Sequence, residues 1–269
     1  MNKKLTLSFV SALVATSAMA SVVTYDPNNT PTKITGDAYV KLSVPTDVEE
    51  AVFDGAGRTD LYYVVMDTAT PNDAADITII NGFTARRNGT GEILHFKQNV
   101  ANVGKDAVMT LKQGTYDFAT SDLSMLTITA QTSAADIYDT TRAMVFDADT
   151  TSNIFTSSAR MQGINGAKII SKGNMNIYNT AYTTAVPSNV AYGQLYTVGT
   201  FEQQSGTITA NDLLVESNNA RFNGTLNLKQ AVASGSHYPI DIKDAKSLTF
   251  GADAKVTTTA GSRIRLGSN

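Results

Sequence analysis

Short strand-like segments recur along almost the whole chain, and this pattern restricts the fold more than any other feature of the sequence. Apolar and polar residues alternate over roughly three to six positions, and Gly, Asn or Asp bounds most segments. Helical spacing of apolar residues is much rarer. The segments arrive at intervals of roughly 8 to 15 residues, which predicts an all-β protein. The predicted strands are 33–44, 61–66, 77–80, 93–96, 108–111, 126–130, 143–146, 167–170, 175–178, 195–198, 207–209, 213–215, 220–222, 225–228, 240–242, 248–250, 255–258 and 263–266.

Three segments look like variants of one unit, namely 167–178, 206–217 and 246–257. Each has a strand, a small or polar corner, and a second strand about six residues later. In a β-helix every coil is built in this way, with inward apolar residues stacked from coil to coil. The period is irregular, roughly 20 to 25 residues. We therefore predict a parallel β-helix (β-solenoid) over 76–269, with a β-sandwich as the alternative.

Some stretches interrupt this pattern. The segments 47–58 and 67–76 are predicted loops on an N-terminal cap that spans 21–75, and 185–192 is a further predicted loop. A short helical pattern covers 134–142. No stretch is rich enough in Pro, Gly or Ser to be an interdomain linker.

Composition supports strands and excludes some classes of function. Thr makes up about one residue in eight, and charged residues are only 17%, a mixture that suits strands and tight turns. The formal net charge of −3 argues against binding to nucleic acid, whose phosphates require clustered Lys and Arg. The chain contains no Cys, so packing and hydrogen bonds must stabilise it without disulfides.

The first 20 residues have the order of a secretory signal peptide. Lys3 and Lys4 precede an apolar run over 5–14, and Ala18-Met19-Ala20 matches the small-x-small cleavage pattern. Cleavage after Ala20 gives a mature chain that begins at Ser21. No later stretch reaches the roughly 20 apolar residues of a transmembrane helix. The sequence thus predicts an exported protein.

The phrases Gly206-Thr-Ile-Thr-Ala-Asn-Asp-Leu-Leu-Val and Phe222-Asn-Gly-Thr-Leu-Asn-Leu228 resemble the passenger region of bacterial autotransporters and related β-helical adhesins. The resemblance covers 76–269 and rests on the Thr-, Asn- and Gly-rich composition of the strands more than on one motif. It implies a right-handed parallel β-helix, exported to the cell surface or outer membrane of a Gram-negative bacterium. Two departures are the lack of a C-terminal translocator barrel and of a terminal aromatic residue, since the chain stops at Asn269.

Acidic residues provide the main candidates for metal binding. The segment from Asp54 to Asp60 has the Gly-rich character of a calcium loop, but it offers only two carboxylates for an ion that needs six to eight oxygens. The Asp147-Ala-Asp149 segment places Ser152 and Ser158 where an EF-type loop needs Gly and Glu. A turn is the simpler interpretation of the first segment, and the second fails as a calcium site.

Paired carboxylates could also support a polysaccharide hydrolase or lyase. The candidate pairs are Asp136 with Asp139 and Asp241 with Asp244, and the adjacent Arg86 and Arg87 are interpreted as a solvated corner.

The two histidines are far apart in the sequence and have no neighbouring ligand types. His95 is predicted in a half-buried strand and His237 in a loop. The glycosylation-like motifs Asn88-Gly-Thr90 and Asn223-Gly-Thr225 are predicted to be turns.

These observations predict a non-catalytic adhesin-type β-solenoid without cofactor or metal, whose partners are host glycans or proteins. The alternatives are a secreted β-helical carbohydrate-active enzyme and a structural surface-layer component. Because strand-like repeats run to the last residues, we also expect the chain to be the N-terminal part of a longer surface protein and to self-associate when isolated.

Overall fold

A computed structural model describes residues 21–35, 38–56, 58–66, 74–97, 106–132, 142–230, 238–258 and 264–267. These ranges contain 24 β-strands and no helix, and the named strands pair in parallel. None of the described residues forms a helix with the length and apolar character needed to cross a membrane. The chain is an all-β parallel solenoid, as the spacing of the predicted strands indicates.

The strands stack into three faces, each formed by equivalent strands of successive coils. The first face contains β1 (Ser21–Thr24), β3 (Tyr39–Ser43), β5 (Tyr63–Met66), β8 (Gly91–Lys97), β11 (Leu126–Gln131), β14 (Ser158–Ile164), the first halves of β17 (Gln194–Gln203) and β19 (Leu213–Phe222), β21 (Ile240–Ile242) and β24 (Ile264–Leu266).

The second face lies in the same 17-stranded sheet. It contains β2 (Thr32–Lys33), β4 (Glu50–Asp54), β6 (Asp76–Ile80), β9 (Ala107–Lys112), β12 (Arg142–Phe146), β15 (Lys168–Ser171), the second halves of β17 and β19, and β22 (Ser247–Phe250).

The third face is a separate seven-stranded sheet. It contains β7 (Phe83–Arg87), β10 (Gly114–Thr120), β13 (Thr150–Phe155), β16 (Asn174–Tyr178), β18 (Thr207–Ala210), β20 (Thr225–Leu228) and β23 (Lys255–Thr257).

Inward side chains stack in columns that run along the axis of the solenoid. Each fully buried aliphatic or aromatic side chain contributes about 1.5–3 kcal/mol through removal from water. One buried column on the first face contains Val40, Val64, Leu94, Ile128, Met161, Thr197 and Val215. A second, on the second face, contains Ala51, Ile77, Met109, Met144, Ile169, Phe201 and Ala220. Thr197 is tolerated in the core because the Ser217 hydroxyl lies 2.9 Å from its own.

The coils differ in length because the corners carry insertions of different size. The register places Met161 beside Thr197, 36 residues later, and Thr197 beside Val215, only 18 residues later. At the short coil, β17 and β19 each run without a break from the first face to the second. There Gly199 has a φ of 71°, and a Cβ at this position would lie 1.7 Å from the carbonyl oxygen of Gly163. The predicted period of 20 to 25 residues is therefore too narrow.

Most predicted strands are confirmed, and the differences are local. The loop predicted over 47–58 is wrong in its centre, because Glu50–Asp54 forms β4. The segments predicted separately over 213–215 and 220–222 belong to one strand, β19. Residues 185–192 are a loop, as predicted, whereas the helix candidate lies outside the described residues except for Arg142, which begins β12.

The three similar segments do not occupy equivalent places in the coil. Residues 167–178 and 246–257 turn from the second face to the third, whereas 206–217 turns from the third face to the first. Their likeness reflects the local demands of a strand–corner–strand unit, which are the same at each corner.

Candidate functional site

The outer side of the third face carries an apolar patch, although outward positions of a strand usually carry polar residues. Ala119, Phe155 and Tyr178 are neighbours in β10, β13 and β16, and all three are buried. They are covered by residues 179–193, between β16 and β17, which we call the insertion. The Tyr182 ring packs edge-on against Phe155 at 5.2 Å between centroids, and Tyr192 lies 5.6 Å from Tyr178. This patch fixes the insertion on the third face.

A polar ladder beside this patch anchors the insertion further. The Asn176 amide donates to the Asn153 side-chain oxygen at 3.1 Å, and the Asn153 amide donates to the Asp117 carboxylate at 3.0 Å. The Tyr182 hydroxyl donates to the other Asp117 oxygen at 3.4 Å. Burial raises the pKa of the Asp117 carboxyl, and the bonds from Asn153 and Tyr182 act in the opposite direction. Asp117 thus holds Tyr182 in place.

The insertion forms one wall of a cavity of about 380 Å³, which we call the groove. The opposite wall comes from the chain just before β5 and from the end of β7, while the end of β10 supplies the floor. The groove is lined by Asp60, Leu61, Tyr62, Arg86, Arg87, Asn88, Ala119, Thr120, Ser121, Ala181 and Tyr182.

Two arginines of the groove each lie over a tyrosine ring. The Arg86 guanidinium is 5.6 Å from the centre of the Tyr182 ring, and that of Arg87 is 5.5 Å from the centre of the Tyr62 ring. Arg87 also donates to the carbonyl oxygen of Glu92. Stacking on an aromatic face orients the planar guanidinium and leaves its in-plane N–H groups to serve as donors.

Asp60 is the one carboxylate among the described residues that line the groove. Arg58 donates to it at 2.7 Å, and this hydrogen bond is the main reason that the pKa of Asp60 lies below its ordinary value. The Asp60 side chain is nevertheless 66% exposed. The groove therefore holds an ionised, accessible acceptor at neutral pH.

A second cavity, of about 350 Å³, lies on the first face near β21 and β24. Two of its charges are paired with each other: Arg265 donates to Asp241 through two nitrogens, one at 2.8 Å, and lies 4.8 Å from the centre of the Tyr238 ring. The Asp212 carboxylate accepts hydrogen bonds from Gln194 and Asn211. This cavity offers a ligand fewer available charges than the groove does.

A third polar cluster surrounds His95 on the outer side of the first face. The His95 Nδ1 atom lies 3.0 Å from the Glu92 carboxylate and 3.1 Å from the Tyr63 hydroxyl, and Thr129 donates to Glu92 at 2.8 Å. His95 hydrogen bonding lowers the pKa of Glu92. His95 lies in strand β8, as predicted, and is buried rather than half-buried.

The acidic residues selected from the sequence form separate structures. Asp54 accepts hydrogen bonds from the Ala56 backbone and the Asn81 amide, so it stabilises a turn, while Asp60 pairs with Arg58. Asp147 and Asp149 accept backbone N–H groups of Ala148 and Gln113. Within the described ranges, no three His, Asp or Glu side chains converge on one point where a metal could bind.

The remaining charged candidates have defined places. Arg86 and Arg87 end strand β7 and line the groove; Arg86 is exposed, as predicted for a solvated corner, whereas Arg87 is half-buried. Asp241 belongs to β21 and is bound by Arg265, while Asp244 lies exposed beyond that strand.

The two Asn-Gly-Thr segments form turns, between β7 and β8 and between β19 and β20, as predicted. Ala18, Ala20, Asp136, Asp139 and His237 lie outside the described residues, and Ser21 begins β1.

Sequence reasoning missed the tyrosines of the groove. Tyr62 and Tyr182 are far apart in the sequence, and they meet at one cavity because the insertion packs over the third face. The adjacent Arg86 and Arg87 and the tyrosine-rich insertion were the available signals. Comparison of the chain with known protein families, with curated proteins and with solved structures finds no match.

Proposed function

We propose that this protein is a non-catalytic, exported β-solenoid of the adhesin type, which binds saccharides in the groove. The observation that carries the proposal is the combination of two tyrosines, two oriented arginines and exposed polar groups around one cavity. Saccharides present hydroxyl groups that both donate and accept, and such a ligand matches a lining that contains Asp60, Asn88 and Ser121.

The support for export and for a cell-surface location comes from the sequence. Residues 1–20 have the order of a signal peptide, and the strand phrases of the second half resemble autotransporter passengers. An elongated solenoid presents its faces along its whole length, and this geometry suits contact with an extended polymer.

The chemistry of the groove favours binding over hydrolysis. Glycosidases use two carboxyl groups, one of which must be protonated to act as the acid. Among the described residues that line the groove, Asp60 is the sole carboxylate, and Arg58 lowers its pKa. A residue with that pKa is a poor proton donor near neutral pH.

Purified residues 21–269 should bind a defined subset of a glycan array and should leave every bound polysaccharide intact. A variant that fills the groove, Ser121→Trp, should lose this binding. The matched control is Ser205→Trp, at an exposed corner between β17 and β18 that does not line the groove.

Three results would contradict the proposal. If no saccharide binds the wild-type protein, or if both Trp variants bind as the wild type does, the groove is not a saccharide site. Release of shorter oligosaccharides during incubation would support the carbohydrate-active enzyme instead.

A further inference from the structure

The charges around the groove do not cancel. Arg58 and Asp60 form an ion pair with each other. Arg86 and Arg87 line the same cavity, and among the described residues neither has a carboxylate partner. Two guanidinium groups therefore line one cavity in which Asp60, already paired with Arg58, is the only carboxylate among the described lining residues.

Both guanidinium groups are held in place without being neutralised. Tyr182 lies under Arg86, and Tyr62 lies under Arg87, which also donates to the backbone of Glu92. Because the side chains are already ordered by the rings, the ligand pays less of the cost of fixing them.

The shape of these donors indicates the kind of anion. A guanidinium presents a planar fork of N–H groups that matches the two oxygens of a carboxylate. Asp60, which is ionised and exposed, accepts hydrogen bonds from hydroxyl groups. The exposed Asn88 and Ser121 lie in the same lining and add further hydroxyl partners.

We propose that the groove selects saccharides that carry a carboxylate, which pairs with the guanidinium wall formed by Arg86 and Arg87, while sugar hydroxyls bind Asp60, Asn88 and Ser121. This inference rests on the proposed function and specifies its ligand class. Uronic acids and sialic acids share this chemistry, whereas an acidic peptide lacks the hydroxyl groups that suit Asp60.

Isothermal titration calorimetry of residues 21–269 tests the inference with matched probes. The acidic probes are tetragalacturonate and sialyllactose, and the neutral probe is carboxyl-reduced tetragalacturonate, which keeps the length and linkage. We expect at least one acidic probe to bind about tenfold or more tightly than the neutral probe, since loss of a charge-assisted pair has about that effect. The preference of the protein between uronate and sialate then identifies the source of the carboxylate.

Arginine variants test whether the preference for the acidic probe comes from the guanidinium groups. Arg86→Gln should remove about tenfold or more of the affinity for the acidic probe and leave the neutral probe unchanged. Arg86→Lys should restore only part of the affinity, because a lysine lacks the planar fork. Arg221→Gln, at an exposed position of β19, is the control and should bind as the wild type does. Arg86 is exposed, so its variants should fold, and unchanged circular dichroism checks this.

The outcomes separate the inference from the proposed function. Equal binding of the acidic probes and the reduced probe, with loss of both in Ser121→Trp, overturns the carboxylate preference and leaves saccharide binding intact. Absence of binding by every saccharide overturns both. Binding of a short polyglutamate as tight as that of the acidic saccharides also overturns the inference, because charge alone would then explain it.

Discussion

The Arg87 guanidinium lies over one face of the Tyr62 ring, and the ring of Tyr39 packs against Tyr62 at 4.7 Å between centroids. These contacts join the end of β7 to the chain just before β5 and, through Tyr62, to β3. The arginine is therefore oriented by an aromatic pair that is itself part of the solenoid. An anion-binding group on such a support needs little rearrangement when a ligand arrives.

Replacing the Tyr62 ring should weaken ligand binding, whereas removing its hydroxyl should not. Tyr62→Ala removes the cation–π contact, so its affinity for an acidic saccharide should fall about threefold to tenfold. Tyr62→Phe keeps the ring face and should bind as the wild type does. Calorimetry on both variants measures the difference, and equal losses in both would show that the hydroxyl matters and the ring face does not.

Loss of the Tyr116 hydroxyl should destabilise the core. Tyr116 is fully buried, and its hydroxyl lies 2.8 Å from the Lys112 carbonyl oxygen and 3.1 Å from the Lys112 backbone nitrogen. Burial raises the pKa of this phenol, so it stays protonated and remains a donor. Tyr116→Phe leaves buried backbone groups without a partner, which costs about 1–3 kcal/mol.

Urea denaturation gives the free energy of unfolding for this variant. Tyr25→Phe is the control, because Tyr25 bonds the Thr30 hydroxyl at an exposed site, and its change should stay within about 0.5 kcal/mol. If both variants lose the same stability, the Tyr116 hydroxyl does not have the role assigned to it.

Two glycines with the same backbone angle should respond differently to alanine. Gly89 and Gly199 both have a φ of 71°, but a Cβ at Gly89 meets no atom within 4 Å, whereas one at Gly199 lies 1.7 Å from a backbone oxygen. Gly89→Ala should cost only the strain of a left-handed residue, about 1–2 kcal/mol. Gly199→Ala should cost clearly more, because a backbone must also move.

Thermal melting of both variants compares the two costs directly. A melting temperature for Gly199→Ala that equals or exceeds that for Gly89→Ala contradicts the close approach of the two coils at this corner.

Glu92 should stabilise the protein in a pH-dependent way. Its pKa is lowered in the folded state, mainly by hydrogen bonding with His95. A carboxyl with a lowered pKa contributes stability that is present above its unfolded pKa, ordinarily about 4.3, and that is lost as the pH falls through the folded value. The stability difference between the wild type and Glu92→Gln should therefore be largest near neutral pH and should shrink in acid.

Denaturation at about pH 7 and about pH 3 measures this difference. The exposed Glu49→Gln should show a small and nearly constant difference. If the stability difference between the wild type and Glu92→Gln grows as the pH falls, the assigned interaction is contradicted.

The fold could be predicted largely because alternating residues specify strands with one buried face. The strands β6, β9 and β16 show that pattern clearly. Two strands that escaped prediction break it: β13 places Ser152 inside the solenoid, and β4 begins and ends with the acids Glu50 and Asp54, which resemble loop residues.

The groove could not be predicted from the sequence, since its parts are brought together by coil register. Thr84 and Tyr182 are 98 residues apart, yet their hydroxyls lie 3.4 Å from each other. The register depends on coil lengths that vary from 18 residues, between Thr197 and Val215, to 36, between Met161 and Thr197. In the sequence, Phe155 and Tyr178 cannot be told from ordinary strand residues, because only the folded insertion shows that these outward side chains are covered.

A crystal structure of residues 21–269 with bound tetragalacturonate tests the central claim most directly. The account predicts sugar density in the groove between Tyr62 and Tyr182, with a carboxylate on the guanidinium of Arg86 or Arg87. Density for the saccharide in the cavity beside Asp241 and Arg265, or elsewhere on the solenoid with the groove empty, would contradict it.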